Sequence, residues 1–164
     1  MENRVSKGFK DNTLPDGITR FILRVPVYIY RVGLGFILGQ RFLMLEHTGR
    51  KTGLKHQCVL EIVFFDHDKR TYYVASGWGK RSNWLKNIEA DPDVTIMIGD
   101  NKYRSVASRL NFNDSLSIMN NYSETHPAAF KILAKKILGE SIASKNEKVG
   151  KMAENVPVVG FTII

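Results

Sequence analysis

Residues His47-Thr48-Gly49-Arg50-Lys51-Thr52-Gly53 constrain the fold of this chain more than any other stretch. Two glycines bracket two bases and a hydroxyl, and apolar runs lie on either side: Phe42-Leu43-Met44-Leu45 before, Val59-Leu60 and residues 62–65 after. Such a pattern is a tight connection between two strands, with glycines that permit positive φ and let a ligand approach the backbone. Successive N–H groups in a turn of this kind form an anion-binding concavity, and Arg50, Lys51 and Lys55 add positive charge around it. The stretch is therefore either a phosphate or carboxylate clamp on a β-hairpin or a basic, solvated hairpin tip.

Further strand-like runs follow at lengths suited to an antiparallel sheet. They are Phe42–Thr48, Leu54–Phe65, Thr71–Ala75, Val94–Gly99 and Tyr103–Leu110, with polar turns at Asp66-His67-Asp68-Lys69 and Gly99-Asp100-Asn101-Lys102. A short helix at Ser82–Ile88 interrupts them, closed by Asp91-Pro92. Ser82 is its expected N-cap, and Trp84, Leu85 and Ile88 form its apolar face. Residues 112–139 read as helical with a break at Pro127, residues 140–155 as a polar, lysine-rich surface connection, and Val156–Ile164 as a returning strand. The order predicts an α+β fold: a barrel-like sheet of mainly antiparallel strands with flanking helices.

The chain of 164 residues is expected to form one domain over 15–164, preceded by a flexible, polar segment over 1–14 without the apolar core of a signal peptide. Pro15-Asp16-Gly17 reads as a helix entry with Asp16 as its N-cap. The apolar stretch Phe21–Leu38 carries Arg24, Pro26 and Arg31. It predicts a short helix broken near Pro26, packed on the domain or lying on a membrane surface, rather than a spanning helix. Gly33-Leu34-Gly35 and Gly39 then mark loops before the first strand. A single cysteine, Cys58, excludes an internal disulfide and favours no oxidising compartment, so a cytoplasmic location, with membrane association as an option, is expected. The net charge of +8 and pI near 9.6 favour anionic partners: nucleic acid, acidic lipid or a multiply charged small ligand.

A second cluster stands at Ala75-Ser76-Gly77-Trp78-Gly79-Lys80-Arg81, where a strand ends in glycines, a hydroxyl and bases before the short helix starts. Helix N-termini offer unpaired N–H groups and partial positive charge, which suits an anion; an ordinary loop and helix start is the alternative.

Together these motifs carry a family resemblance. The run Gly49–Gly53, then Val74-Ala75-Ser76-Gly77-Trp78-Gly79, then Trp84-Leu85-Lys86-Asn87-Ile88-Glu89-Ala90-Asp91-Pro92 resembles the deazaflavin-dependent nitroreductase family. The similarity extends from about Tyr30 to Ala107 and returns faintly at Val156–Val159. It implies a split β-barrel of the flavin-binding type holding coenzyme F420, with FMN as the alternative. It also implies an oxidoreductase that transfers hydride to a quinone, nitroaromatic or activated double bond. Carried over, Gly49, Arg50, Lys51, Thr52, Gly53 and Lys55 would hold phosphate or tail carboxylates. Ser76, Gly77, Gly79 and Lys80 would form a second wall, with Trp84 and Asn87 closing the site. Tyr122, His126 and Phe130 fall on the family's variable substrate wall, and water, Tyr122 or His126 would supply the proton. The chain departs from the family pattern at Ser82, where some members have Pro, and at His56, where many have Arg. Related barrels often pair, so a homodimer is one expectation.

Other groups read more plainly. His47 and His56 face one another across the hairpin without a third ligand, so no metal is expected. Cys58 sits in an apolar strand as a small core residue, and Glu61, Asp66 and Asp68 fit solvated strand and turn positions. Trp78, Trp84 and Tyr72-Tyr73 beside bases would suit a nucleic-acid-binding module, but the bases are spread rather than striped, so no nucleic acid is expected. An FMN- or haem-binding barrel without turnover is the third reading.

Overall fold

A computed structural model of the chain describes residues 26–29, 39–139 and 144–164. The expectations for 1–25, including the helix entry at Asp16, lie outside the described residues. So does most of the Phe21–Leu38 segment, with the membrane contact assigned to it and the Gly33–Gly35 loop.

Six strands, β1 (Phe42–Thr48), β2 (Lys55–Asp66), β3 (Thr71–Ala75), β4 (Asp93–Ile98), β5 (Asn101–Arg109) and β6 (Val158–Ile163), close into a barrel in the order β1-β2-β3-β6-β5-β4. Every pairing is antiparallel. The α+β split-barrel expectation is borne out. Closure follows from side-chain alternation, since period-two residues share one face and closing the sheet leaves no edge unpaired. Leu43 and Leu45 of β1 point inward with Val74, Ile96, Val159 and Phe161, while Met44 faces out against Val59, Met97 and Val27. Gly99, with φ 55°, makes the two-residue connection from Ile98 to Asn101.

Among the described residues, 26–29 are helical, and four longer α-helices cover the barrel: α1 (Asn83–Ala90), α2 (Phe112–Thr125), α3 (Pro127–Leu138) and α4 (Lys145–Asn155). Leu85 and Ile88 of α1 join the interior cluster. The other three pack on the outer face of β2, β3 and β6, burying Met119, Tyr122, Phe130, Ala134, Val149 and Met152 against Val63, Tyr73 and Val158. Fully burying each such side chain contributes about 1.5–3 kcal/mol.

Two expectations are corrected. The lysine-rich stretch 140–155 is not all surface connection: Lys145–Asn155 is a helix, capped by Ser144 accepting from the Glu147 N–H at 3.2 Å. Its buried Val149, Met152 and Ala153 form a narrow apolar stripe between charged positions. Ser82 precedes α1, but its side chain makes no capping bond. Its Oγ instead lies 2.7 Å from Ser76 Oγ in a buried pair. Among the described residues, no helix is long and apolar enough to cross a membrane.

Candidate functional site

The β1–β2 hairpin is in register from Phe42 opposite Glu61 to Thr48 opposite Lys55. Its connection is drawn tight by the Gly49 carbonyl, which accepts from the Gly53 N–H at 2.7 Å and the Thr52 N–H at 3.2 Å. Gly53 takes φ 68°, where a side chain would cost about 1–2 kcal/mol. A Cβ on Gly49 would meet His56 Nε2 at 2.7 Å and Thr52 Oγ1 at 2.8 Å, so glycine is needed there for space.

The backbone concavity expected of this turn does not form. The Gly49 N–H bonds the Leu54 carbonyl, Leu54 bonds Thr52 Oγ1 at 3.3 Å, and the Arg50 N–H donates to Asn87 Oδ1 at 3.2 Å. With these amides engaged inside the protein, an anion at the hairpin is met mainly by side chains. Arg50, Lys51 and Lys55 are all exposed, and Lys55 Nζ donates to Thr48 Oγ1 at 3.3 Å.

The hairpin folds onto α1. Arg50 Nη1 donates to Asn87 Oδ1 at 2.8 Å, and Nη2 reaches Asn83 Oδ1 at 3.5 Å. Asn87 is buried, and its Nδ2 stands 3.2 Å from His47 Nδ1. His47 is buried and stacked on His56 with ring centroids 5.8 Å apart. Burial, then the neighbouring His56, and also Lys55, lower its pKa to about 4, so the ring is neutral at pH 7.

The second cluster runs straight into the same helix. Ser76 is fully buried, donating its Oγ hydrogen to the Gly79 carbonyl at 2.9 Å or sharing one with Ser82; its N–H bonds the Pro157 carbonyl. Gly79 takes φ 62° at the start of a 3-10 turn, Gly79–Arg81, that ends where α1 begins. Because Ser82 does not cap, no side chain among the described residues satisfies the first N–H groups of α1. Lys80 and Arg81 are exposed beside this helix start, and Arg50 approaches it through Asn83. The two basic corners therefore converge on one uncapped helix N-terminus, an arrangement that attracts phosphate or carboxylate.

The remaining expected residues take other places. Trp84 is half-buried and packs on the barrel cluster. Gly77 lies under α3, where an added Cβ would come within 3.9 Å of Leu133. Trp78 lies beneath Lys136, whose Nζ sits 4.1 Å from the ring centroid; burial lowers the Lys136 pKa. Tyr122, on the buried face of α2, donates its hydroxyl to Glu61 Oε1 at 3.2 Å; the same oxygen receives Arg41 Nη2 at 3.0 Å. Burial and the Glu61 carboxylate push the phenol pKa up. His126 is exposed and stacks on Tyr122 with centroids 5.6 Å apart. Phe130 lines a cleft of about 530 Å³ with Ala134, Leu138, Lys131, Lys135 and Lys148. None of the cleft residues comes from the hairpin or the Ser76–Arg81 turn. Among the described residues, no three His, Cys, Asp or Glu side chains come together as metal ligands.

Sequence reasoning missed His47 as part of this site. Its signal was an inward position on β1, two residues beyond Leu45 and two before Gly49.

Comparison with known proteins adds to this geometry. The profile of a family described as F420H(2)-dependent quinone reductase matches residues 23–137. Rv3178 of Mycobacterium tuberculosis (strain H37Rv), whose name assigns it provisionally to the same activity, is 32% identical over 74 residues. That match covers 44% of this chain and 60% of Rv3178, so the chain spans less than two thirds of its curated relative. A solved F420-H2-dependent reductase, FDR-A, superposes with a TM-score of 0.53 at 19% identity, covering 75% of this chain and 95% of that one. A pyridoxamine 5'-phosphate oxidase-related, FMN-binding protein of Nostoc punctiforme also gives 0.53, at 13% identity, over 92% of this chain and 84% of its own. At these identities the two structures share the fold.

Proposed function

The chain belongs to the F420H(2)-dependent quinone reductase family, and from that premise we propose that it binds reduced coenzyme F420 and reduces a quinone or similar small acceptor. The observation that carries this reading is the convergence of Arg50 and the Gly79–Arg81 turn on the uncapped start of α1. The donor set fits the cofactor's charged part: exposed cations and free helix N–H groups suit a phosphate and a carboxylate tail. Gly53 also leaves open space where a side chain would stand, with nothing within 4 Å of an added Cβ.

In this reading Arg50, Lys51, Lys55 and Lys80 hold the anionic end, and the N–H groups opening α1 donate to one of its oxygens. Gly49, Thr52, Gly53, Ser76 and Gly79 shape the two turns, and Trp84 and Asn87 brace the helix that joins them. When bound, a reduced deazaflavin supplies a hydride, a two-electron donor that avoids radical chemistry. The chain's task is to grip the charged end firmly enough to fix the ring beside the acceptor, within about 3–3.5 Å of reacting atoms. Proton delivery is assigned to water, because the Tyr122 hydroxyl is buried and directed at Glu61. FMN is the alternative ligand, favoured by the shared fold of the Nostoc protein. A homodimer and peripheral membrane contact belong to this proposal as its secondary parts.

Titration with oxidised F420 and with FMN, followed by fluorescence, tests the binding half. Arg50→Ala and Lys51→Ala should each weaken F420 binding by about 1–3 kcal/mol. An affinity unchanged in the double variant would refute the clamp. Rapid mixing with reduced F420 and a quinone panel tests turnover, and the absence of absorbance recovery with every quinone would leave a binding protein.

A further inference from the structure

We propose that His47 and Asn87 form a buried positioning pair that aims the Arg50 guanidinium at the anionic ligand; this rests on the clamp reading of Arg50 above. The orientation of the three groups is fixed by their chemistry. A guanidinium only donates, so Asn87 must turn Oδ1 toward Arg50, where it accepts from both the backbone N–H and Nη1. That places the amide Nδ2, a pure donor, against His47 Nδ1 at 3.2 Å. His47 Nδ1 must therefore be bare, and the neutral ring carries its proton on Nε2.

A protonated His47 would put N–H against N–H at this contact. Rotating the Asn87 amide would relieve that clash, but only by presenting Nδ2 to the Arg50 guanidinium. The neutral imidazole is thus the state that holds Arg50 in place. The charged neighbours His56 and Lys55, both from β2, reinforce it, while a hydrogen bond to the Thr48 backbone works the other way and is outweighed by burial. Helix α1 presents the neutral Asn87, with Lys86 and Glu89 on its exposed side. With one proton of Nη1 and one of Nη2 held by Asn87 and Asn83, the Nε proton and the second proton on each Nη have no acceptor among the described residues. Those are the groups offered to a phosphate or carboxylate. His47 touches no ligand in this scheme and acts through Asn87.

The test measures F420 affinity by calorimetry between pH 4 and 8. It compares the parent with His47→Leu, His47→Asn, Arg50→Ala and the His47→Leu/Arg50→Ala double variant. Asn at position 47 places a non-titrating acceptor where Nδ1 stands, so His47→Asn keeps the contact if leucine disturbs folding. His47→Leu should weaken binding about tenfold, the worth of one charge-assisted hydrogen bond, and should have no effect once Arg50 is gone. His47→Asn should bind like the parent at pH 7 and weaken less than the parent toward pH 4, keeping only the part that comes from protonation of the ligand's own carboxylates. Imidazole nitrogen shifts at pH 7 should show His47 bare at Nδ1.

An equal loss from His47→Leu with and without Arg50 overturns the positioning role and leaves the clamp intact. So does an Nδ1-protonated ring, or an acid weakening as steep in His47→Asn as in the parent. An Arg50→Ala chain that binds like the parent removes the clamp, and this proposal with it.

Discussion

Ser76 Oγ and Ser82 Oγ stand 2.7 Å apart, both side chains buried, and tie the end of β3 to the residue preceding α1. This bond, together with the Ser76 contact to the Gly79 carbonyl, closes the turn that carries Lys80. Ser82→Ala leaves Ser76 with one partner fewer and should cost about 1–3 kcal/mol. Ser82→Asp distinguishes this role from capping. An aspartate is a good N-cap and would stabilise a capped helix, whereas a carboxylate forced against buried Ser76 should destabilise more than alanine does. Denaturant midpoints of the two variants check the order.

Gly160 sits in the middle of β6 opposite Tyr73 of β3, and an added Cβ would come to 3.0 Å from Thr71 Cγ2 and Tyr73 Cε1. Tyr73 is buried among the outer-face residues beneath the helices, so it has little room to yield. Gly160→Ala should therefore destabilise by about 1–3 kcal/mol through overpacking. Thermal unfolding would show it, and an unchanged midpoint would mean that the Tyr73 ring shifts freely.

The strands were legible because each carries its own evidence. Inward Leu43 and Leu45 alternate with outward Met44, and glycine or aspartate turns punctuate the runs, so β1 to β6 could be placed within a residue or two. Helix α4 was not, because its buried Val149, Met152 and Ala153 are interrupted by Gly150 and Lys151 and flanked by charged and polar residues. The stripe has meaning only once α2 and α3 supply the opposing surface. The hairpin and the post-β3 turn were recognised as basic corners, yet their junction was invisible. Arg50 and Asn87 are 37 positions apart, and nothing local distinguishes an asparagine that braces an arginine from one on a solvated face. Ser82 shows the converse error: a local rule placed a cap where a distant serine competes for the hydroxyl.

The depressed pKa of His47 makes stability fall in acid. In the unfolded chain the imidazole titrates near the usual value of about 6.5, while in the fold it resists protonation until about pH 4. A group with a lowered folded pKa contributes its full stability above the unfolded pKa. That stability is lost as pH falls through the window from about 6.5 to 4. The loss should be on the order of 3 kcal/mol, and His47→Asn should remove this part of the acid slope. Urea unfolding of both chains across that window, compared at each pH, checks it.

Tyr122 separates a packing role from a catalytic one. Tyr122→Phe keeps the ring beside Phe130 and His126 but loses the hydroxyl's bond to Glu61. It should cost about 0.5–1.5 kcal/mol of stability. Removing a general acid slows turnover about a hundredfold or more, whereas proton delivery from water predicts a rate within roughly twofold of the parent. Quinone reduction by reduced F420 measures the difference.

Ser105 supplies the opposite kind of test, a polar group whose removal should help. It lies on β5 between Val94 and Ile163 in the pairing, is 1% exposed, and its Oγ has no hydrogen-bond partner among the described residues. The neighbouring β5 residues on the same face, Tyr103 and Ala107, belong to the apolar interior. A hydroxyl held there without a protein partner carries a burden of about 1–3 kcal/mol. Alanine at this position removes the oxygen and leaves a void far smaller than a methylene chain, so the transfer gain outweighs the lost contacts. Ser105→Ala should thus be neutral or stabilising by up to about 1 kcal/mol, with an unchanged denaturant slope. A clear destabilisation would show that the hydroxyl does have a partner in solution, an ordered water inside the barrel being the species with the right size and valence.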